Sequence, residues 1–304
     1  MHAIHPVSSP LLWLRVLAAL LVVVVVPGYL LAGRHATGGR VTRLVVSLSM
    51  GLLGVTVVGR LLNLGGIPLL VWTVPPGLAA LGLGLGRWPT WRRSWQRAFA
   101  SLRPAGKHET PALVAVAVVC FVVLVLGYGD FVAPPTVDDA GNHAYLVQRI
   151  AESASLDPAQ VFAAPLGSLR VGYLVGWHPT AALVARTGGV APYVATWLLI
   201  LSLVAMLPVA LSLLWRAFQV PAPLVVLGGV FLVTDAFMPA GILGWGGFGQ
   251  LVGMLLVPCL AVLVSAALRE RSRTLAVVTG AALGALIHVH ASELVVALGL
   301  GLLL

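Results

Sequence analysis

The sequence has few charges and almost no cysteine. Of its 304 residues, 9% are charged and 60% are hydrophobic, and the mean hydropathy is +1.03. A soluble domain carries about 25% charged residues, so a soluble globular protein is excluded, and so few charges also exclude a disordered polar chain. The two cysteines, Cys120 and Cys259, lie in apolar runs, which excludes a disulfide framework or a zinc ribbon.

Long apolar runs are abundant, and they predict an all-α, polytopic transmembrane helical bundle. A helix crosses the bilayer core with about 20 apolar residues. Eight runs have this character, near residues 11–33, 44–63, 66–86, 111–132, 190–214, 222–240, 248–268 and 274–290. A ninth run, 294–304, covers only about 16 Å, so we expect eight full spans and a truncated ninth, and whether the chain is a fragment of a longer protein stays open.

The basic residues collect in alternate loops, and this pattern predicts the orientation. Cytoplasmic loops are enriched in Lys and Arg. Residues 87–107 carry six basic residues and three tryptophans, a composition that favours anionic headgroups on the inner face. Residues 34–43, Arg216 and 269–273 then also fall inside, for a total of 13 of the 18 basic residues. We therefore expect a multi-pass protein of the plasma (inner) membrane with no nucleic-acid partner.

One long segment, 133–189, is predicted to lie on the extracytoplasmic side. Pro134 and Pro135 end the preceding span, because proline cannot continue a helix. Residues 139–154 have apolar residues at helical spacing, which predicts a short amphipathic helix in the outer interface. Residues 160–180 are rich in glycine and proline and predict a loop.

The densest polar cluster stands at the start of that helix and contains Asp138, Asp139, Asn142 and His143. One acid would suffice to cap the helix, so two acids beside an amide and an imidazole suggest a site. A carboxylate here can act as general base on a hydroxyl, and two carboxylates can instead hold a divalent cation. Asp139 and His143 are four residues apart and share a helix face.

Other polar residues of the outer segment are candidates for binding a substrate. His178 can bind a phosphate, donate a hydrogen bond, or anchor the next span together with its neighbouring tryptophan. Tyr173 can stack on a sugar or belong to the aromatic belt. Arg149 and Arg170 supply the cations that a phosphate needs, and headgroup contact is their alternative role.

Three ionisable residues, His288, His290 and Glu293, lie at the outer end of the eighth predicted span. Ionisable groups at a membrane rim often mark a pathway or a site. His290 and Glu293 are three apart and can pair, whereas His288 and His290 point in different directions. The spacing matches no strong metal-ligand motif.

These features together resemble the integral-membrane glycosyltransferases of the GT-C superfamily, especially bacterial envelope mannosyl- and arabinofuranosyl-transferase-like proteins. The matching stretch is about 128–186, with GYGDFVAPPTVDDAGNHAYLVQRIAE and VGYLVGWHPTAALVAR. The resemblance divides the chain into a three-span N-terminal region, 1–110, and a GT-C-like core, 111–304. Three spans precede the acidic loop, where the simplest family layout has one.

The resemblance also implies a reaction. The donor would be a sugar on polyprenyl phosphate, and the acceptor a glycan, a glycolipid or a protein. Asp138 or Asp139 would be the base that activates the acceptor hydroxyl, with His143 and His178 near the donor phosphate. Some members of the superfamily use a divalent cation and others use none.

Three alternatives remain open at the level of the sequence. A transporter or flippase of lipid-linked precursors would place ionisable residues near mid-membrane, whereas Arg15 and Arg60 lie toward the outer ends of their spans. A prenyl-type transferase is suggested by the Asp-Asp-x-x-Asn pattern at 138–142, but the charge pattern puts these acids on the outer side. A non-catalytic membrane assembly partner is the third alternative.

Overall fold

The computed structural model describes residues 9–128, 139–162, 175–234, 242–243 and 246–304, and within these ranges the regular elements are helices, with no strand. The predicted all-helical class is therefore confirmed. In chain order the helices are α1 (Pro10–Leu31), α2 (Arg40–Leu64), α3 (Val74–Leu85), α4 (Pro89–Ala100), α5 (Glu109–Tyr128), α6 (Ala140–Ser153), α7 (Pro158–Val161), α8 (His178–Gly188), α9 (Pro192–Ala205), α10 (Leu207–Ala217), α11 (Ala222–Thr234), α12 (Phe248–Glu270), α13 (Arg273–Val289) and α14 (Ser292–Leu303).

Five helical stretches among the described residues are long and apolar enough to cross a membrane. They are α1, α2, α5, the consecutive pair α9 and α10, and α12. Four further apolar helices, α3, α11, α13 and α14, have at most 17 residues in their described parts. A multi-pass membrane protein is thus supported, while the count of eight spans and a truncated ninth stays a prediction.

The third predicted span, 66–86, is shorter in the structure than expected. Its helix begins only at Val74 and has 12 residues, about 18 Å. Gly65 ends the preceding helix, and Gly66 adopts a positive φ of 68°, a backbone conformation that glycine tolerates without a steric penalty. A hydropathy pattern does not reveal such an interruption of the helix, because these residues are as apolar as their helical neighbours.

One end of the bundle, hereafter the basic end, gathers the arginine-rich loops. Arg216 is buried and donates to the hydroxyl of Thr42 at 2.9 Å and to the carbonyls of Gly38 at 2.8 Å and Arg103 at 2.7 Å. Arg103 in turn contacts the carboxylate of Glu109 at 2.6 Å. These contacts join the starts of α2 and α5 to the end of α10.

The C-terminal ends of α12 and α14 also lie at the basic end. Arg269 donates to the carbonyl of Leu304 at 3.3 Å and to the hydroxyl of Ser101 at 3.1 Å. Glu270 lies 3.6 Å from Arg97 of α4. The loops that the sequence predicted to share one side of the membrane therefore do lie at one end of the bundle.

The opposite end, hereafter the loop end, carries α6, α7 and the start of α8. Asn63, near the end of α2, accepts from the amide of Leu156 at 2.7 Å and from the hydroxyl of Ser155 at 3.2 Å. Since α2 has 25 residues, the two ends lie about 37 Å apart along this helix. The structure thus separates the basic loops from α6; which end faces the cytoplasm stays a prediction.

Close contact between α1 and α2 depends on paired glycines. A Cβ atom at Gly51 would overlap the carbonyl oxygen of Val24, and one at Gly28 would overlap the carbonyl oxygen of Ser47. Such contacts between backbones are common where membrane helices pack through small residues.

We expect Gly51→Ala to destabilise the protein by about 1–3 kcal/mol, because the added methyl group forces the two helices apart. Thermal unfolding of the purified protein in detergent measures this effect. Gly84→Ala on α3 is the matched control, since nothing lies within 4 Å of its Cβ position. Equal midpoints for the two variants would contradict this account of the α1–α2 contact.

Candidate functional site

The candidate site begins at the first turn of α6, where Asp139 and His143 contact each other. The Oδ2 atom of Asp139 lies 3.3 Å from Nε2 of His143. About 45% of the Asp139 side chain is exposed, against 6% for His143. Asn142 adds a long hydrogen bond of 3.5 Å from its amide to Oδ1 of Asp139. The predicted sharing of one helix face by Asp139 and His143 is therefore seen in the structure.

His143 also contacts a residue that is distant in the sequence. Its Nδ1 atom lies 2.8 Å from Nε2 of His178, the first residue of α8. His178 is fully buried. We call Asp139, His143 and His178 the Asp-His-His chain: it runs from a half-exposed carboxylate, through one imidazole, to a second imidazole in the protein interior.

Aromatic rings hold the two imidazoles in place. Phe248, at the start of α12, stacks on His143 with ring centroids 5.4 Å apart, and Trp177 stacks on His178 at 4.5 Å. Trp197 of α9 lies behind Phe248 at 6.0 Å. Rings packed in this way restrict rotation of the imidazoles and exclude water from their faces, which strengthens the hydrogen bonds between them.

The environment of His178 favours its neutral form. Burial lowers the pKa of His178 well below its usual range, and the neighbouring His143 lowers it further. A hydrogen bond with the Val175 backbone and the charge of Asp139 act in the opposite direction and do not offset the burial. The lowered pKa keeps His178 neutral at physiological pH.

Three of the predicted site residues lie outside the described residues: Asp138, Arg170 and Tyr173. Within the described ranges, no group of three or more His, Cys, Asp or Glu side chains is arranged to hold a metal ion. The divalent-cation site that we predicted at Asp138 and Asp139 therefore stays a prediction.

Arg149 and His288 make the contacts described here with residues outside the Asp-His-His chain. Arg149 donates to the carbonyl of Gln160 at 3.0 Å and contacts Glu152 at 3.4 Å, and these contacts join α6 to α7. His288, near the end of α13, is exposed, and its carbonyl accepts from the amide of Gly176 at 2.7 Å.

His290 and Glu293 form a further pair at the loop end. Their Nδ1 and Oε1 atoms lie 3.4 Å apart, and the hydroxyl of Ser292 lies 2.8 Å from the same Nδ1. Glu293 is buried against Gly253, where a Cβ atom would overlap its side chain. Gly253 lies five residues after the first residue of α12, about 7.5 Å along that helix, so Glu293 packs against the second turn of α12; its position at a membrane rim stays a prediction.

Phe248 packs against His143, a contribution to the site that the sequence did not indicate. Phe248 follows the glycines Gly246 and Gly247, and Gly246 has a positive φ of 85°. A Cβ atom at Gly246 would overlap the backbone of Ala140, so this glycine lets the start of α12 approach α6. The run of glycines before Phe248 is the feature of the sequence that could have indicated this close approach.

The comparisons with known proteins identify a family and no activity. Residues 21–304 match DUF6541, a family of unknown function. The chain belongs to this family. No curated protein and no solved structure matches it significantly. In this DUF6541 member the matched range includes every site residue described above.

The neutral state of His178 predicts how stability depends on pH. Its folded-state pKa is depressed, so below about pH 6.5 the unfolded chain binds a proton that the folded chain does not. Stability should therefore fall as the pH drops from 7.5 to 5.5, with a contribution from His178 of at most about 1.4 kcal/mol per pH unit. Thermal unfolding across this range measures the slope.

His178→Gln should flatten that slope, because the glutamine amide can take the place of Nε2 and does not titrate. His108→Gln is the control, since His108 is exposed and far from α6 in the fold. The same slope in wild type and in His178→Gln would contradict a neutral, buried His178.

Proposed function

We propose that this protein is an integral-membrane glycosyltransferase that moves a sugar from a polyprenyl-phosphate donor to a hydroxyl of an envelope glycan, glycolipid or protein. The observation that carries the proposal is the Asp-His-His chain, a half-exposed carboxylate beside one buried imidazole that in turn contacts a second buried imidazole at the loop end. The resemblance to GT-C enzymes supplies the class of reaction.

In the proposed reaction, the carboxylate of Asp139 accepts the proton of the acceptor hydroxyl. The hydroxyl oxygen then forms a bond to the anomeric carbon of the sugar. The bond from that carbon to the phosphate oxygen breaks, and polyprenyl phosphate leaves with the electron pair. A positioned general base contributes about 10²–10⁴-fold to a rate.

His143 and His178 position the base in this proposal. A contact between the Nε2 atom of His143 and Oδ2 of Asp139 holds the carboxylate in one orientation. His178 is fully buried, so it acts through His143, whereas the resemblance alone would put it beside the donor phosphate. Orientation of the reacting groups supplies much of the rate in such a transfer.

We further propose that the site is extracytoplasmic and that the four shorter apolar helices complete eight spans and a ninth. The support is the separation of the basic end from the loop end, combined with the preference of Lys and Arg for cytoplasmic loops. A donor with a lipid chain would then present its phosphate at the level of α6, in the membrane that we predict to be the plasma membrane.

A transporter or flippase of lipid-linked precursors is the second candidate, and one observation favours it. Glu293 is buried against Gly253 of α12 and lies 3.4 Å from His290. Buried ionisable groups of membrane proteins often belong to ion or substrate pathways. Glu293 contacts none of the three residues of the Asp-His-His chain in the contacts described above, so the two candidates depend on different side chains.

Asp139→Asn should lower sugar transfer at least about 100-fold, because an amide cannot accept the proton. The assay is transfer of radiolabelled sugar from polyprenyl phosphate in membranes that contain the complete protein. Glu152→Gln is the matched control, a second carboxylate on α6 that is exposed and lies two turns or more from His143.

The assay separates the two candidates. Normal transfer by Asp139→Asn at wild-type protein levels would remove Asp139 as the base. If Glu293→Gln instead stopped movement of a lipid-linked sugar across the membrane and Asp139→Asn did not, the transporter would be favoured.

Labelling of single cysteines tests the proposed orientation. Ala159→Cys, on the exposed side of α7, should react with an impermeant maleimide in intact cells, whereas Gln96→Cys on α4 should react only after permeabilisation. The native Cys120 and Cys259 are buried and give a low background. The opposite pattern would place the Asp-His-His chain on the cytoplasmic side.

A further inference from the structure

An apolar groove runs along the outside of the bundle between α2 and α13. Its lower part, toward the basic end, is a cavity of about 280 Å³ lined by apolar side chains such as Leu53 and Leu78. Its upper part is a cavity of about 240 Å³. Val57 and Ala281 line both cavities, so the two cavities adjoin, and together they are called the groove. From Met50 to Arg60 it covers about 15 Å along α2.

The upper end of the groove carries a cation in apolar surroundings. Arg60 and His288 line it from opposite helices, together with Leu61, Gly284 and Ala285. The Nε atom of Arg60 is buried and has no hydrogen-bond partner among the described residues. A guanidinium in such a place is costly unless an anion accompanies it.

The cationic end of the groove lies directly behind the candidate site. Thr56, which lines the upper cavity, donates its hydroxyl to the carbonyl of Gly176 at 2.6 Å. The amide of Gly176 donates to the carbonyl of His288 at 2.7 Å. His178 follows Gly176 by two residues, so one short segment separates the groove from the Asp-His-His chain.

We propose that this groove binds the donor lipid, with the prenyl chain along α2 and α13 and the phosphate on Arg60 and His288. A guanidinium offers paired N–H donors to phosphate oxygens, and His288 can add one more donor. The choice of a prenyl phosphate over another anionic lipid rests on the proposed function, while the groove and its charge rest on the geometry alone.

Photoaffinity labelling tests the proposal without requiring catalysis. The probe is a polyprenyl phosphate that carries a diazirine in its chain, added to the purified protein in phosphatidylcholine nanodiscs. We expect mass spectrometry to find the label on peptides of α2 and α13, and unlabelled polyprenyl phosphate to compete with it.

Two variants and two matched controls locate the binding. Arg60→Gln should weaken the apparent affinity about 10-fold, since it removes a charge-assisted contact. Gly284→Leu should weaken it similarly, because the new side chain fills the groove and nothing else lies within 4 Å of its Cβ position. Arg15→Gln is the control for the first variant, since Arg15 is an exposed arginine on α1. Gly280→Leu is the control for the second, since Gly280 has equally open space at its Cβ position but does not line the groove. Both controls should bind the probe with wild-type affinity.

The possible results distinguish a failure of the lipid-binding proposal from a failure of the proposed transferase function. Wild-type affinity in both Arg60→Gln and Gly284→Leu would overturn the proposed binding site, whatever the activity of the protein. Equal competition by phosphatidylglycerol would overturn the prenyl phosphate as its occupant. Labelling that depends on Arg60, in a protein that transfers no sugar, would support the groove and remove the proposed transferase.

Discussion

The hydrogen bond between His143 and His178 joins two helices that the chain separates by 35 residues. Burial makes this bond costly to break, because each imidazole would leave a polar nitrogen without a partner in a dry interior. Phe248 and Trp177 pack against the pair from α12 and from the turn before α8. The orientation of Asp139 at the protein surface depends on this packing, and the proposed chemistry depends on that orientation.

Polar contacts organise the two ends of the bundle in different ways. At the basic end, the buried Arg216 donates to Gly38 and Thr42 in one segment and to Arg103 in another, and so joins both segments to α10. At the loop end, by contrast, Asp139 is half exposed beside His143, and the buried Nε atom of Arg60 has no hydrogen-bond partner among the described residues.

The groove and the Asp-His-His chain share one structural support, the segment from Gly176 to His178. Thr56 and His288 hold its first residue from the side of the groove, and His143 holds its last residue from the side of the site. A lipid phosphate on Arg60 and an acceptor hydroxyl on Asp139 would therefore approach the same segment from two directions.

The sequence by itself determined the helical membrane class, the gathering of the basic loops, and the local pairs Asp139–His143 and His290–Glu293, because hydropathy and helical spacing are local properties of a chain. It overestimated the helix at 66–86, since a glycine turn is as apolar as a span. Only the tertiary structure decided that His178 lies behind His143, that Glu293 is buried, and that Arg60 faces the same groove as His288. Those contacts join helices far apart in the sequence, and they follow from how glycines and side chains let the helices pack, which no local pattern records.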